Sequence, residues 1–183
     1  MTTHIALFRA INVGGKQLLP MKSLCALLEG LGLHGVQSYI QSGNVVFDSD
    51  RPPSELTGEI AEAVMQQHGF RPQLLLLNNA QFRAAVDNIP FTCDKALHLF
   101  FLFTKASSPD LHRLDALRSE SEQYQLTDQV FYLSAPDNIG RSRLVSQLGK
   151  CLGVAVTGRN WNTVTRLREM IEGAGSVVSS GAP

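Results

Sequence analysis

One succession of hydrophobic patterns runs through this chain twice, and that repetition limits the folds open to it. In the first half, "HIALFRA" is strand-like and "PMKSLCALLEGLG" is helical, with Pro20 in its first turn and Met21, Leu24, Leu28 and Leu31 along one face. "GVQSYIQSGNVVFDS" reads as two strands joined by a tight turn at Ser42 and Gly43, and "PPSELTGEIAEAVMQQHG" as a helix stopped by Gly69. "RPQLLLL" is a buried strand, and "NAQFRAAVDN" a short helix opened by asparagine as its cap. The second half repeats the order with "LHLFFLF", "SPDLHRLDALRS", the hairpin "YQLTDQVFYLS" turning near Thr127 and Asp128, "GRSRLVSQLGKCLG", "VAVTG" and "NWNTVTRLREMI". Side-chain identity between the halves is negligible, so what repeats is architecture.

Strand, helix, strand, strand, helix, strand is the split-crossover pattern of the ferredoxin-like fold, with both helices on one face of an antiparallel sheet. The predicted class is α+β: two tandem ferredoxin-like (βαββαβ) subdomains, each followed by an extra helix, packed as one globular unit. The subdomains are expected over residues 1–90 and 91–173, with a disordered tail at 174–183. A chain of 183 residues that is 44% apolar can bury the core this requires.

The formal net charge is zero, so any preference for nucleic acid, membrane or an acidic partner must come from local patches. Cys25, Cys93 and Cys151 are odd in number, widely separated and without histidine at metal-ligand spacing, which argues against a disulfide framework or zinc site and for buried structural thiols. The longest apolar run, "LHLFFLF", is too short to span a bilayer, and "MTTHIALFRA" is no secretion signal; a cytoplasmic location follows.

The topology brings distant loops together. Strands one and two of each unit should run parallel with strand three between them, placing "INVGGK" beside "QSGN". In the second unit, the loops leaving strands three and four share the opposite end, which puts "SAPDNIGRS" beside "TGRNWNT". Gly14 and Gly15 permit close backbone approach, Arg9 and Lys16 add charge, and Asn12 adds amide hydrogen bonds, the makings of an anion nest. Gln41, Ser42 and Asn44 would offer neutral donors and acceptors at the edge of the same pocket. Asn160 or Asn162 can cap the last helix, where Arg159, Trp161 and Thr163 stand, and Arg141 and Ser142 open the preceding one. From Arg141 onward six basic residues face two acids. Each of these motifs also has a plain structural reading, as a turn or a cap.

No catalytic constellation emerges. His4, His34, His68, His98 and His112 lack a paired carboxylate or cysteine at a recognisable spacing, Asp48 and Asp50 stand without a partner cluster, and neither a metal site nor a cofactor is indicated.

The segments "ALFRAINVGGKQLLPM", "YIQSGNVVF" and "TGRNWNTVTRL" resemble, nearly word for word, signature segments of the bacterial family catalogued as domain of unknown function 1697, over about residues 4 to 171. The resemblance implies a pair of ferredoxin-like subdomains and no established activity. One departure is visible in "DNIGRSR", where Arg143 stands in place of the lysine more often found after the serine, keeping the charge but not the shape.

The functional expectation is a module binding a phosphorylated or otherwise anionic ligand, a nucleotide or nucleic acid, at these polar loops. Against RNA on the sheet face, "NVVFDS" lacks the aromatic and basic residues of that mode, and Phe100 and Tyr132 read as core. The alternatives are an enzyme on a small anionic substrate, with Arg9, Lys16 and Arg159 as electrostatic stabilisers and Ser42 or Ser142 in proton or nucleophile roles, or an interaction scaffold whose polar motifs lock loops and caps.

Overall fold

The computed structural model describes residues 1–176 and is mixed α+β. The first sheet comprises β1 (Thr2–Arg9), β2 (His34–Tyr39), β3 (Asn44–Ser49) and β4 (Gln73–Asn78), in the order β2-β3-β1-β4 with every neighbour antiparallel. The second comprises β5 (Leu97–Leu102), β6 (Gln123–Leu126), β7 (Val130–Ser134) and β8 (Val156–Asn160), in the corresponding order β6-β7-β5-β8, again antiparallel. Six α-helices are described: α1 (Met21–Gly30), α2 (Pro53–His68), α3 (Asn79–Asp87), α4 (Leu111–Leu117), α5 (Arg143–Leu152) and α6 (Trp161–Ser176). The chain divides into two compact units, Met1–Ala84 with the segment from Thr165 onward, and Ala85–Val164.

In the first unit, α1 and α2 cover the sheet face that presents Ala6 and Phe8 of β1, Val45 and Phe47 of β3, and Leu74 and Leu76 of β4. Met21, Leu24 and Leu28 recur at helical spacing on α1 and are buried. Leu56, Ile60 and Val64 do the same on α2, which ends where Gly69 turns left-handed (φ 79°) and donates to the Met65 carbonyl. Ile5 and Leu7 on the opposite face are equally buried, so β1 reads as a continuous apolar run rather than an alternation. In the second unit, Phe100 and Leu102 of β5 and Phe131 and Leu133 of β7 pack with Leu114 of α4 and with Leu144, Leu148, Cys151 and Leu152 of α5. Tyr132 is buried and donates from its hydroxyl to the Ala85 carbonyl at 2.7 Å.

Several expectations are corrected in detail. The tight turn at Ser42 and Gly43 is wider than those two residues: Tyr39 pairs with Asn44, so the loop between β2 and β3 spans residues 40–43. The cap of α3 is Asn78, whose side chain accepts from the Gln81 N–H while the Gln81 side chain accepts from the Asn78 N–H, a reciprocal capping box. Residues 139–141 form a short 3-10 turn, so α5 starts at Arg143 with Ser142 as its cap. Strand β8 lies two residues later than "VAVTG". Residues 174–176, expected in a tail, continue α6, and 177–183 lie outside the described residues. Cys151 is buried, Cys25 half-buried and Cys93 exposed, because Cys93 stands in the loop before β5 among polar neighbours. No described helix is long and apolar enough to cross a membrane.

Candidate functional site

Because β3 lies between β1 and β2, the segment after β1 meets the β2–β3 loop, as the topology required. The Phe8 N–H donates to the Gly43 carbonyl at 2.8 Å. Asn12 then ties three segments together: its Nδ2 donates to the Gln41 carbonyl (2.8 Å) and to the Leu19 carbonyl (2.9 Å), and its Oδ1 accepts from the Leu19 N–H (2.7 Å). Between these ties, Val13 to Lys16 form a tight turn closed by a 3.1 Å hydrogen bond from the Lys16 N–H to the Val13 carbonyl. Both central residues, Gly14 and Gly15, have positive φ (59° and 72°), the geometry of a primed turn that glycine adopts without strain.

The other residues expected in this cluster are placed as follows. Arg9 closes β1 and donates to Gln73 Oε1 at 2.6 Å. Asn44 is fully buried and donates to the Tyr39 carbonyl and the Ser42 hydroxyl. The side chains of Lys16, Gln41 and Ser42 are exposed. The Asn12 carboxamide thus holds backbone groups of both loops and that of Asn44 holds the β2–β3 loop, and neither residue lines the two pockets described below.

At the other polar end, the last residues of β7 and β8 flank the start of β5, with Leu97 opposite Ser134 and His98 opposite Asn160. Arg159 is only 7% exposed; its Nη1 donates to Thr157 Oγ1 and to the Gly158 carbonyl, both at 2.8 Å. Burial pulls its pKa down to about 10. Asn160, rather than Asn162, caps α6 by accepting from the Thr163 N–H at 2.9 Å. Trp161 is half-buried and Thr163 buried, both in the first turn of α6.

Arg141 and Ser142 have different surroundings. They line an open pocket of about 370 Å³ within the second unit, together with Arg143 at the first position of α5, Arg118 and Ser119 after α4, Glu122, Asp137 and Asn138. The Ser142 hydroxyl accepts from the Val145 N–H and its carbonyl accepts from Ser146, while Asn138 holds the turn by accepting from the Gly140 N–H. Arg118 donates to the Glu122 carbonyl at 3.0 Å and faces Asp115 at 3.8 Å. Arg141 and Arg143 are exposed and form no ion pair among the described residues. Three arginines and two acidic residues therefore line one pocket beside the positive end of a ten-residue helix. A second opening of about 390 Å³, lined by Phe91, Asp94, Lys95 and Gln123 among others, sets one lysine against one aspartate.

The segments "SAPDNIGRS" and "TGRNWNT" share an end of the sheet, but the first contributes to this pocket and the second does not. Arg118, Ser119 and Glu122 were not singled out from the sequence. The available signal was "SESE", a Ser-x-x-Glu spacing in which the Ser119 N–H donates to Glu122 Oε2 at 2.9 Å. No group of three or more metal-ligating side chains occurs among the described residues.

The fold and site define an α+β protein with two four-stranded antiparallel sheets and an arginine-lined pocket in its second unit. Over residues 1–132 the chain matches the family described as "Protein of unknown function (DUF1697)", and it belongs to that family. Among solved structures, it is similar to the conserved bacterial protein SP0830 from Streptococcus pneumoniae, at 27% identity over 92% of this chain and 98% of that one, with a TM-score of 0.64. No curated protein matches.

Proposed function

We propose that the protein binds a small phosphorylated or otherwise anionic ligand, of the size of a nucleotide, in the pocket at the start of α5. The observation that carries this reading is the convergence of Arg118, Arg141 and Arg143 on one open cavity. Guanidinium forks match phosphate and carboxylate geometry, and the amides at a helix start add to the attraction. A volume of about 370 Å³ lies within the range of small-molecule sites and favours a mononucleotide or sugar phosphate over a nucleic-acid strand. On this reading, Asn12, Asn44 and Asn160 position loops and caps, and Arg141 and Ser142 belong to the ligand site.

We also read each sheet with its two helices as a ferredoxin-like unit and the pair as a duplication of architecture; the common strand order supports this. A bacterial cytoplasmic setting fits the family neighbour and the three free cysteines.

The test is calorimetric titration with sodium phosphate, AMP and ADP at low and moderate salt. Salt-sensitive binding that disappears in Arg141→Ala/Arg143→Ala, with the melting temperature of that variant unchanged, is the expected result. Absence of binding by all three compounds, or unchanged binding by the variant, would refute the reading.

A further inference from the structure

We infer that the loop cluster after β1 docks on an anionic lipid surface, with Val13, Leu18 and Ile40 entering the boundary between headgroups and acyl chains and Lys16 and Lys22 meeting the headgroups. This face belongs to the first unit, whereas the arginine pocket belongs to the second. Six large hydrophobic side chains are exposed among the described residues, and three of them stand here: Val13 (66%), Leu18 (62%) and Ile40 (50%). Each adjoins, along the chain, a residue that the Asn12 side chain ties together, namely Asn12 itself, Leu19 and Gln41. Exposed aliphatic residues scattered singly need no explanation; three gathered on two tied loops do. Ile40 is also held at φ 49°, a conformation that β-branched residues rarely adopt. The lock at Asn12 fixes the two loops before anything binds, so docking need not order them.

The charge of these segments has one sign. Arg9, Lys16 and Lys22 fall within residues 9–28, and neither that stretch nor residues 33–47 contain an acid. Lys16 and Lys22 are exposed and form no ion pair among the described residues. The complementary surface is therefore apolar and negative. A second copy of the chain would set cations against cations, which opposes self-association through this face. Anchors of protein–protein contacts are typically tryptophan, tyrosine and arginine seated in pockets, whereas this face offers aliphatic side chains with lysines beside them. Aliphatic residues flanked by lysine suit the lipid interface, where the apolar part is buried and each ammonium is drawn to anionic headgroups.

The experiment is co-sedimentation of the full chain with vesicles of phosphatidylcholine alone and with vesicles of equal parts phosphatidylcholine and phosphatidylglycerol. Wild-type protein should partition onto the anionic vesicles at least about tenfold more strongly, since each lysine near such a surface contributes about fivefold. Raising the salt concentration should weaken that binding. Val13→Ser/Leu18→Ser and Lys16→Gln/Lys22→Gln should each lower it by at least about tenfold, with melting temperatures close to wild type because all four side chains are exposed. Equal binding to the two kinds of vesicle, or none to either, would overturn the inference, and these wild-type outcomes hold even if a variant does not fold. Undiminished binding by Val13→Ser/Leu18→Ser would overturn it as well. Loss of vesicle binding in Arg141→Ala/Arg143→Ala alone would overturn it by assigning the headgroup to the arginine pocket. Binding to polyglutamate but not to vesicles would overturn it in favour of an acidic protein.

Discussion

Replacing Asn12 with alanine should measure how strongly the first loop cluster is locked. The substitution removes three hydrogen bonds, two donated by Nδ2 to the Leu19 and Gln41 carbonyls and one accepted by Oδ1 from the Leu19 N–H. It also leaves a residue with a Cβ but no local side-chain hydrogen bonds at φ 55°. At about 1 kcal/mol net per hydrogen bond, plus up to about 1 kcal/mol for left-handed alanine in place of asparagine, the upper estimate is about 4 kcal/mol. The Gln41 carbonyl lies on the exposed side and regains water, whereas Leu19 is fully buried and its polar groups regain little. The expected loss is therefore about 2.5 kcal/mol, or a fall in melting temperature of about 5–10 °C for a chain of this size. Urea unfolding followed by circular dichroism reads it directly, and Asn12→Gly separates the terms by removing the hydrogen bonds while relieving the backbone. A loss below about 0.5 kcal/mol for Asn12→Ala would place it with ordinary surface substitutions and refute the lock.

Three further outcomes follow from the structure. Gly43→Ala should destabilise by more than about 2 kcal/mol, because its Cβ would lie 2.6 Å from Phe8 Cβ and 2.7 Å from Ile11 Cδ1 at φ 77°; a melting temperature equal to wild type would contradict this. Ile40, half-exposed at φ 49°, holds a β-branched side chain where glycine is at ease. Ile40→Gly should therefore stabilise by about 0.5–1 kcal/mol in urea unfolding, and a lower midpoint would show that its side chain contributes more than its strain costs. Burial lowers the pKa of His4, opposed by the Ser49 backbone and Asp48, and likewise that of His98, opposed by the Ala96 carbonyl, both from 6.5. The unfolded chain then binds more protons, so stability is complete above pH 6.5 and declines as pH falls through the folded-state values. His4→Phe, which keeps a ring against Phe47, should flatten that decline in melts taken across this range, and an unchanged slope would remove His4 from the account.

Much of the fold was legible because its signals are local. Leu24 and Leu28 of α1 recur at helical spacing, and Gly69 ends α2 by adopting a conformation most residues avoid. The neighbouring of "INVGGK" and "QSGN" followed from strand order alone. Element ends were less legible: whether Asn78 or Asn79 caps α3 depends on the reciprocal bond with Gln81, and α6 runs through the glycines at 173 and 175 once the helix is established.

The candidate site divides in the same way. Composition and spacing by themselves determined which loops are polar, where charge collects and which helix starts carry arginine. They could not determine which polar groups are already committed to the protein. Asn12 and Arg141 look equally available in the sequence, yet Asn12 is enclosed by three backbone partners while Arg141 stands beside an open cavity. Glu122 was a charge in an acidic run until the chain placed it, buried, on the wall of the arginine pocket. Hydrogen-bond capacity is exhausted, or left open, by atoms remote in sequence, and only the tertiary structure brings those atoms within reach.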